Sequence, residues 1–299
     1  MIKVANAPCS WGVLEFELEG EAPGYEQVLS EIRETGYDGT ELGDWGFMPT
    51  TPAGLAGALE KENLALLGAF VPVNLADESA HDPGVEAAVR TARLMKEAGS
   101  PGAFIVLADD NGTHEERTAH AGRVTETMGL DEAGWARFAG GVDRVAAAVE
   151  SATGMRTVFH HHAAGFVETE EEIDALMDRT NPDLVGLVFD TGHLLFGGGD
   201  PLSFLQKHSD RIRHVHFKDC HPEIVRQSRL NHWDYFESVR QGVFSKLGDG
   251  GVDFDRVIQE LKNRDYDGWV VVEQDVLPGM GDPRSCARHN REFLKGLGL

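Results

Sequence analysis

The sequence predicts an α/β chain folded as one closed (β/α)8 barrel, on three observations. Eight short apolar runs alternate with segments of helical spacing, most runs are apolar without interruption, and polar residues end at least five of them. The 299 residues suit one barrel of about 250 residues with extra loops, and no Pro/Gly/Ser-rich linker divides 1–299 into two domains. A closed barrel also leaves no sheet edge to protect.

The first candidate strand is Lys3–Ala7, and Asn6-Ala7-Pro8-Cys9-Ser10-Trp11-Gly12 sets polar groups and a large aromatic at its mouth. Trp11 reads as the floor of a sugar or cyclitol pocket, or equally as core packing. Cys9 has no assigned base and reads as a small buried residue. Tyr25, Val28, Leu29 and Ile32 form a helical stripe that Gly36 ends. Asp38–Leu42, with Glu41 near its end, is the second strand; Leu64–Phe70 and Ala103–Ala108 are the third and fourth.

Arg156–His160, the fifth, runs into His161 and His162, and alternation turns at most two of the three histidines inward, leaving His161 as the structural one. Thr169 with Glu172 forms a capping box ahead of Ile173 and Leu176. The sixth strand, Val185–Asp190, leads into Thr191-Gly192-His193, where Gly192 permits a tight turn that carries His193 over a substrate. In the seventh, Arg213–Phe217, His216 shares its parity with Lys218, so both face inward. The connection Cys220–Gly251 shows no clear strand of its own and is expected to cover the site. Phe254, Val257, Ile258 and Leu261 make the last helical stripe before the eighth strand, Trp269–Glu273.

Charge and composition exclude several classes. With 27 basic and 50 acidic residues the net charge is −23, which repels a phosphate backbone, so nucleic acid is not an expected partner. Apolar runs such as Leu64 to Leu75 fall short of the roughly 18–20 residues that span a bilayer. The N-terminus lacks the order of a secretion signal, and three cysteines lie far apart, so the expectation is a cytoplasmic protein without structural disulfides. Gly197–Gly199 and Gly248–Gly251 have neither P-loop nor dinucleotide spacing.

The chemistry gathers at strand ends. Asp190, His216 and Glu273 come from adjacent strands, and two carboxylates with an imidazole suit Mn²⁺, Co²⁺, Mg²⁺ or Zn²⁺. The fourth ligand is His160 or Glu168, the latter folding back from the following loop. Glu41 and Trp11 read as substrate contacts, and Asp219 as a substrate contact or an anchor for an imidazole.

Asp190-Thr191-Gly192-His193, His214-Val215-His216-Phe217-Lys218-Asp219, the run Leu247–Phe254 and Val270-Val271-Val272-Glu273 resemble the sugar isomerase/epimerase superfamily of xylose-isomerase-like TIM barrels over nearly the whole chain. The Asn6–Gly12 run, the three histidines followed by Val167-Glu168-Thr169, and Glu273-Gln274-Asp275 resemble inosose dehydratases of inositol catabolism most. That superfamily usually ends strand five with a ligating glutamate, where this chain has His160.

The resemblance implies a divalent cation, Mn²⁺ or Co²⁺ foremost, that binds a ketone and an adjacent hydroxyl of a small polyol or keto sugar and stabilises an enediolate. It implies dehydration of 2-keto-myo-inositol, with Glu273 or Lys218 as base and His193 or His162 as acid. Isomerisation or epimerisation of a keto sugar or inosose is the rival, and a noncatalytic carbohydrate-binding barrel a more distant one. A homo-oligomer is compatible with the sequence.

Overall fold

The computed structural model describes residues 1–13, 23–277 and 280–299. Its main sheet is parallel and contains β1 (Lys3–Asn6), β2 (Gly39–Thr40), β3 (Ala65–Leu66), β4 (Gly68–Val73), β5 (Phe104–Asp109), β6 (Arg156–His160), β7 (Val185–Asp190), β8 (Ile212–Phe217) and β11 (Trp269–Val272). A separate pair, β9 (Asp219–Cys220) and β10 (Phe244–Ser245), is antiparallel.

The sheet order β3-β2-β1-β11-β8-β7-β6-β5-β4 ends on two segments that are neighbours in the chain. β3 and β4 are the third predicted strand, interrupted at Leu67, whose N–H donates to Thr40 while its carbonyl accepts from Phe104. Leu42 N–H donates to Gly68 O at 2.9 Å, so hydrogen bonding passes around the full circle and the barrel closes.

Helices form the outer layer because their stripes have nowhere else to bury. Val28, Leu29 and Ile32 of helix Tyr25–Glu34, and Phe254, Val257, Ile258 and Leu261 of helix Phe254–Asn263, are all buried against the sheet's outer face. Gly36, at φ +97°, carries the chain away from the first helix, and both bonds of the Thr169/Glu172 capping box are made.

The barrel interior is apolar at its lower and middle levels, where Ala5, Leu67 and Val271 meet, as do Val106, Val158 and Val188. Above them it turns polar, with Glu41, His160 and His216 buried, while His214 is buried deeper, against Phe104 at the start of β5. Strand β8 shows the division: Val215 and Phe217 join the outer core, while His214 and His216 alternate with them.

The connection after β8 differs from its sequence expectation. It holds helices Pro222–Asn231 and Tyr235–Arg240 and the strand β10, which returns to pair Phe244 with Cys220 and Ser245 with Asp219. Two-residue strands carry no periodicity that a sequence pattern could reveal. Among the described residues no helix is long and apolar enough to cross a membrane, and the three cysteines are free thiols.

Candidate active site

Four consecutive strands of the sheet, β6, β7, β8 and β11, deliver His160, Asp190, His216 and Glu273 to one point at the mouth. Register makes this happen: Asp190 stands opposite His216, and Glu273 N–H donates to Phe217 O at 3.0 Å just beyond the last pair of β11 with β8. His216 Nδ1 lies 3.2 Å from His160 Nε2, 3.3 Å from Glu273 Oε1 and 3.8 Å from Asp190 Oδ2, and His160 Nε2 lies 3.7 Å from that same oxygen.

These donors fit a divalent cation. Bonds of about 2.0–2.2 Å in a tetrahedral arrangement put donor atoms about 3.4 Å apart. Asp190 Oδ2 is moreover a fully buried atom with no hydrogen-bond partner, which a carboxylate does not tolerate without compensation. Its other oxygen, Oδ1, accepts from His193 N–H at 2.7 Å and caps the helix Thr191–Phe196.

The electrostatics follow from that packing. Burial opposes ionisation of Asp190, yet His160, Lys218 and His216 outweigh it and hold the carboxyl well below its usual range. Burial also opposes charge on His216, but Glu273, Glu41 and Asp190 lift its imidazole to about 9. Lys218 Nζ sits 3.2 Å from Glu273 Oε2, 3.4 Å from Asp275 Oδ1 and 3.2 Å from His193 Nε2. Against burial, Asp275 and Glu273 then push the Lys218 ammonium well above the ordinary lysine value.

Burial, with His162 and Lys218 nearby, depresses the His193 imidazole well below its ordinary value. Its ring packs against His162 with centroids 3.7 Å apart and the planes tilted by 38°. His162 is neutral for the same reason, and its Nδ1 donates to Ala163 O at 2.7 Å, which leaves the lone pair on Nε2. His161 points out of the barrel: its Nε2 accepts from Asp190 N–H, its ring meets Phe204, and burial lowers it to about 3.

Not every candidate from the sequence reaches this centre. Glu168 takes Gly122 N–H on Oε1 at 2.6 Å and Ala164 N–H on Oε2 at 3.1 Å, so it ties two loops together and lies outside the four-residue cluster. Trp11 is buried on the far side of its 3-10 turn, where the indole N–H donates to Glu31 at 2.7 Å. Asp219 accepts from the N–H groups of Cys220, Gly248, Gly250 and Val252 and shapes that glycine turn, with no imidazole in contact. A Cβ on Gly250 would stand 2.2 Å from Asp219 Oδ1, so the turn needs glycine there.

The structure brings in residues that the sequence reading passed over. Phe70, Tyr235 and Asp275 line a pocket at the mouth together with Cys9, Lys218 and Glu273. Burial, then Glu273, raises the Cys9 thiol, so it is no thiolate nucleophile. His214, two residues before His216 and of the same parity, was findable; Tyr235 arrives from a distant helix and was not.

Glu168 gives a test of its own. Burial raises its carboxyl from the model-compound value of 4.5 to about 7, despite Arg117 and the two N–H donors. A folded-state value above the unfolded one means a contribution that is complete below about pH 4.5 and lost as pH climbs through about 7, worth about 3 kcal/mol in all. Thermal denaturation of wild type and Glu168→Gln between about pH 5 and 8 should show the wild type losing more stability. Parallel curves would mean that Glu168 is ionised throughout.

Residues 29–297 match the xylose isomerase-like TIM barrel family. An inosose dehydratase of Geobacillus kaustophilus is 32% identical over 99% of this chain and 94% of its own length. One from Bacillus cereus (strain AH820) is 32% identical over 98% and 96%. Among solved structures, an L-ribulose 3-epimerase superposes with a TM-score of 0.71 at 19% identity, covering 100% of this chain and 95% of that one. The IolI protein with a zinc atom superposes at 0.72 and 16% identity, covering 99% and 98%.

Proposed function

Since the chain belongs to the xylose isomerase-like TIM barrel family, we propose that it is a metal-dependent hydro-lyase that converts 2-keto-myo-inositol to a cyclohexane dione. The observation that carries this reading is the end-to-end similarity to inosose dehydratases, over 94–96% of their length, in a chain whose mouth gathers two carboxylates and two imidazoles.

His160, Asp190, His216 and Glu273 would hold the cation; two nitrogen and two oxygen donors suit Mn²⁺, Co²⁺, Mg²⁺ or Zn²⁺, and the likeness to inosose dehydratases puts Mn²⁺ or Co²⁺ foremost. A divalent cation held there supplies Lewis acidity that stabilises negative charge on the substrate oxygens.

Glu273 takes the proton next to the ketone, because Lys218 is held as an ammonium and has no lone pair to offer. Lys218 and His193, in contact at 3.2 Å, supply the proton that leaves with the β-hydroxyl as water. His162 packs against His193 and positions it. The resulting enol tautomerises to the dione. The small polyhydroxylated substrate, an acidic surface and a cytoplasmic setting belong to the same reading.

The second reading is isomerisation or epimerisation of a keto sugar or inosose, favoured by the superposition on an L-ribulose 3-epimerase. Mass spectrometry of the product after incubation of Mn²⁺- or Co²⁺-loaded protein with 2-keto-myo-inositol decides between them, with a chelator-treated control. Metal-dependent loss of one water is expected; an unchanged mass with altered stereochemistry would establish the second reading.

A further inference from the structure

Glu41 is a buried carboxylate inside the barrel, and one of its oxygens serves two imidazoles at once. Oε1 accepts from His214 Nε2 at 2.6 Å and from His216 Nε2 at 3.0 Å. A single carboxylate oxygen within hydrogen-bond reach of two ring nitrogens serves both as acceptor. Both imidazoles therefore carry a proton on Nε2. For His216 the consequence is directional, because Nδ1 is the atom that faces His160, Glu273 and Asp190.

The interior is shaped for this arrangement. A Cβ on Gly68 would lie 3.2 Å from Glu41 Oε1, so a glycine on the neighbouring strand clears the space that the carboxylate occupies. His214 is held in turn against Phe104, with ring centroids 5.5 Å apart, and its own side chain is buried. The string His214, Glu41, His216 runs from the barrel's packed interior to the cluster at its mouth.

We propose that Glu41, braced by His214, is a positioning residue that fixes the proton of His216 on Nε2 and so presents Nδ1 as the ligand atom for a divalent cation. This rests on the metal reading of the four-residue cluster and replaces the substrate-contact role that the sequence assigns to Glu41. A carboxylate bonded to the far nitrogen of a ligating imidazole sets both ring orientation and basicity, and removing such a partner weakens metal binding by about 10–100-fold.

The experiment titrates metal-free protein with Zn²⁺ and with Co²⁺ by calorimetry, without substrate. Glu41→Ala should bind either ion about 10–100-fold more weakly than wild type. Glu41→Gln, whose amide oxygen can accept the same two N–H groups, should stay within a few-fold. Should Glu41→Ala fail to fold, ¹⁵N NMR of zinc-loaded wild type carries the test, with Nδ1 of His216 coordinated and Nε2 protonated.

Zinc on Nε2, or Glu41→Ala with wild-type metal affinity and a raised KM for substrate, would overturn the proposal, the latter returning Glu41 to substrate binding. Wild-type protein that binds neither ion would overturn this proposal and the metal reading together. Metal binding that follows the expected pattern in a protein with no dehydratase activity would leave the proposal standing and remove only the assigned substrate.

Discussion

Asp190→Asn is expected to fold like the wild type and to lose most of its metal affinity. The two oxygens of Asp190 do separate work: Oδ1 caps the helix Thr191–Phe196 through His193 N–H, and Oδ2 is the buried atom without a hydrogen bond that faces His160 and His216 in the cluster. Asparagine keeps the capping oxygen, worth about 1 kcal/mol at a helix N-terminus, and replaces only Oδ2 with an amide NH₂ that cannot ligate. It also removes one of the two carboxylates among the four donors.

The affinity loss should exceed the about 10–100-fold that follows removal of a mere supporting partner. Activity at limiting metal should fall with it and recover in part at excess metal. Calorimetry with Co²⁺ and a melting curve of the metal-free protein check both halves. Undiminished Co²⁺ affinity would take Asp190 out of the metal site, and a large drop in melting temperature would mean that the amide disturbs the cap.

The placement of Asp190, His216 and Glu273 was legible because parallel strands leave few choices. Once the strands are found, parity decides which side chains face the interior, and strand order makes these three neighbours. Parity speaks equally about Asp219, which alternates with Lys218 and so turns away from the cavity; that signal was present in the sequence.

Glu168 was not legible in the same way. Its direction depends on a turn in which Ala164 and Val167 take left-handed backbone, at φ +75° and +68°, and on a partner 46 residues away at Gly122. No periodicity encodes either. Trp11 is set by a 3-10 turn, Pro8–Trp11, closed by Gly12 at φ +78°, which carries the indole to Glu31 instead of the mouth. The connection after β8 hid Tyr235 because its place depends on the packing of helices whose link to β8 is irregular, with Ser228 and Ser238 joined at 2.7 Å.

Lys218→Met is expected to separate the two halves of the reaction. The ammonium is wholly enclosed, touching Glu273, Asp275 and His193 and lying 4.7 Å from the Phe244 ring centre. Removing it should leave Glu273 able to take the proton next to the ketone, while His193 loses the neighbour that replenishes its proton. Solvent deuterium should therefore still enter the substrate at that carbon, and water loss should fall by about 10²–10⁴-fold, the usual span for a general acid, with little change in KM. Lys218→Arg should not restore the rate, because a planar fork cannot replace a point charge among three converging acceptors. The lysine stem also packs against Gly192, where even an added Cβ would come within 2.6 Å of Lys218 Cγ. Loss of deuterium exchange along with water loss would make Lys218 the base and leave Glu273 as a ligand alone. Full activity in Lys218→Met would remove the ammonium from the chemistry and put the departing hydroxyl's proton on His193 or His162 unaided.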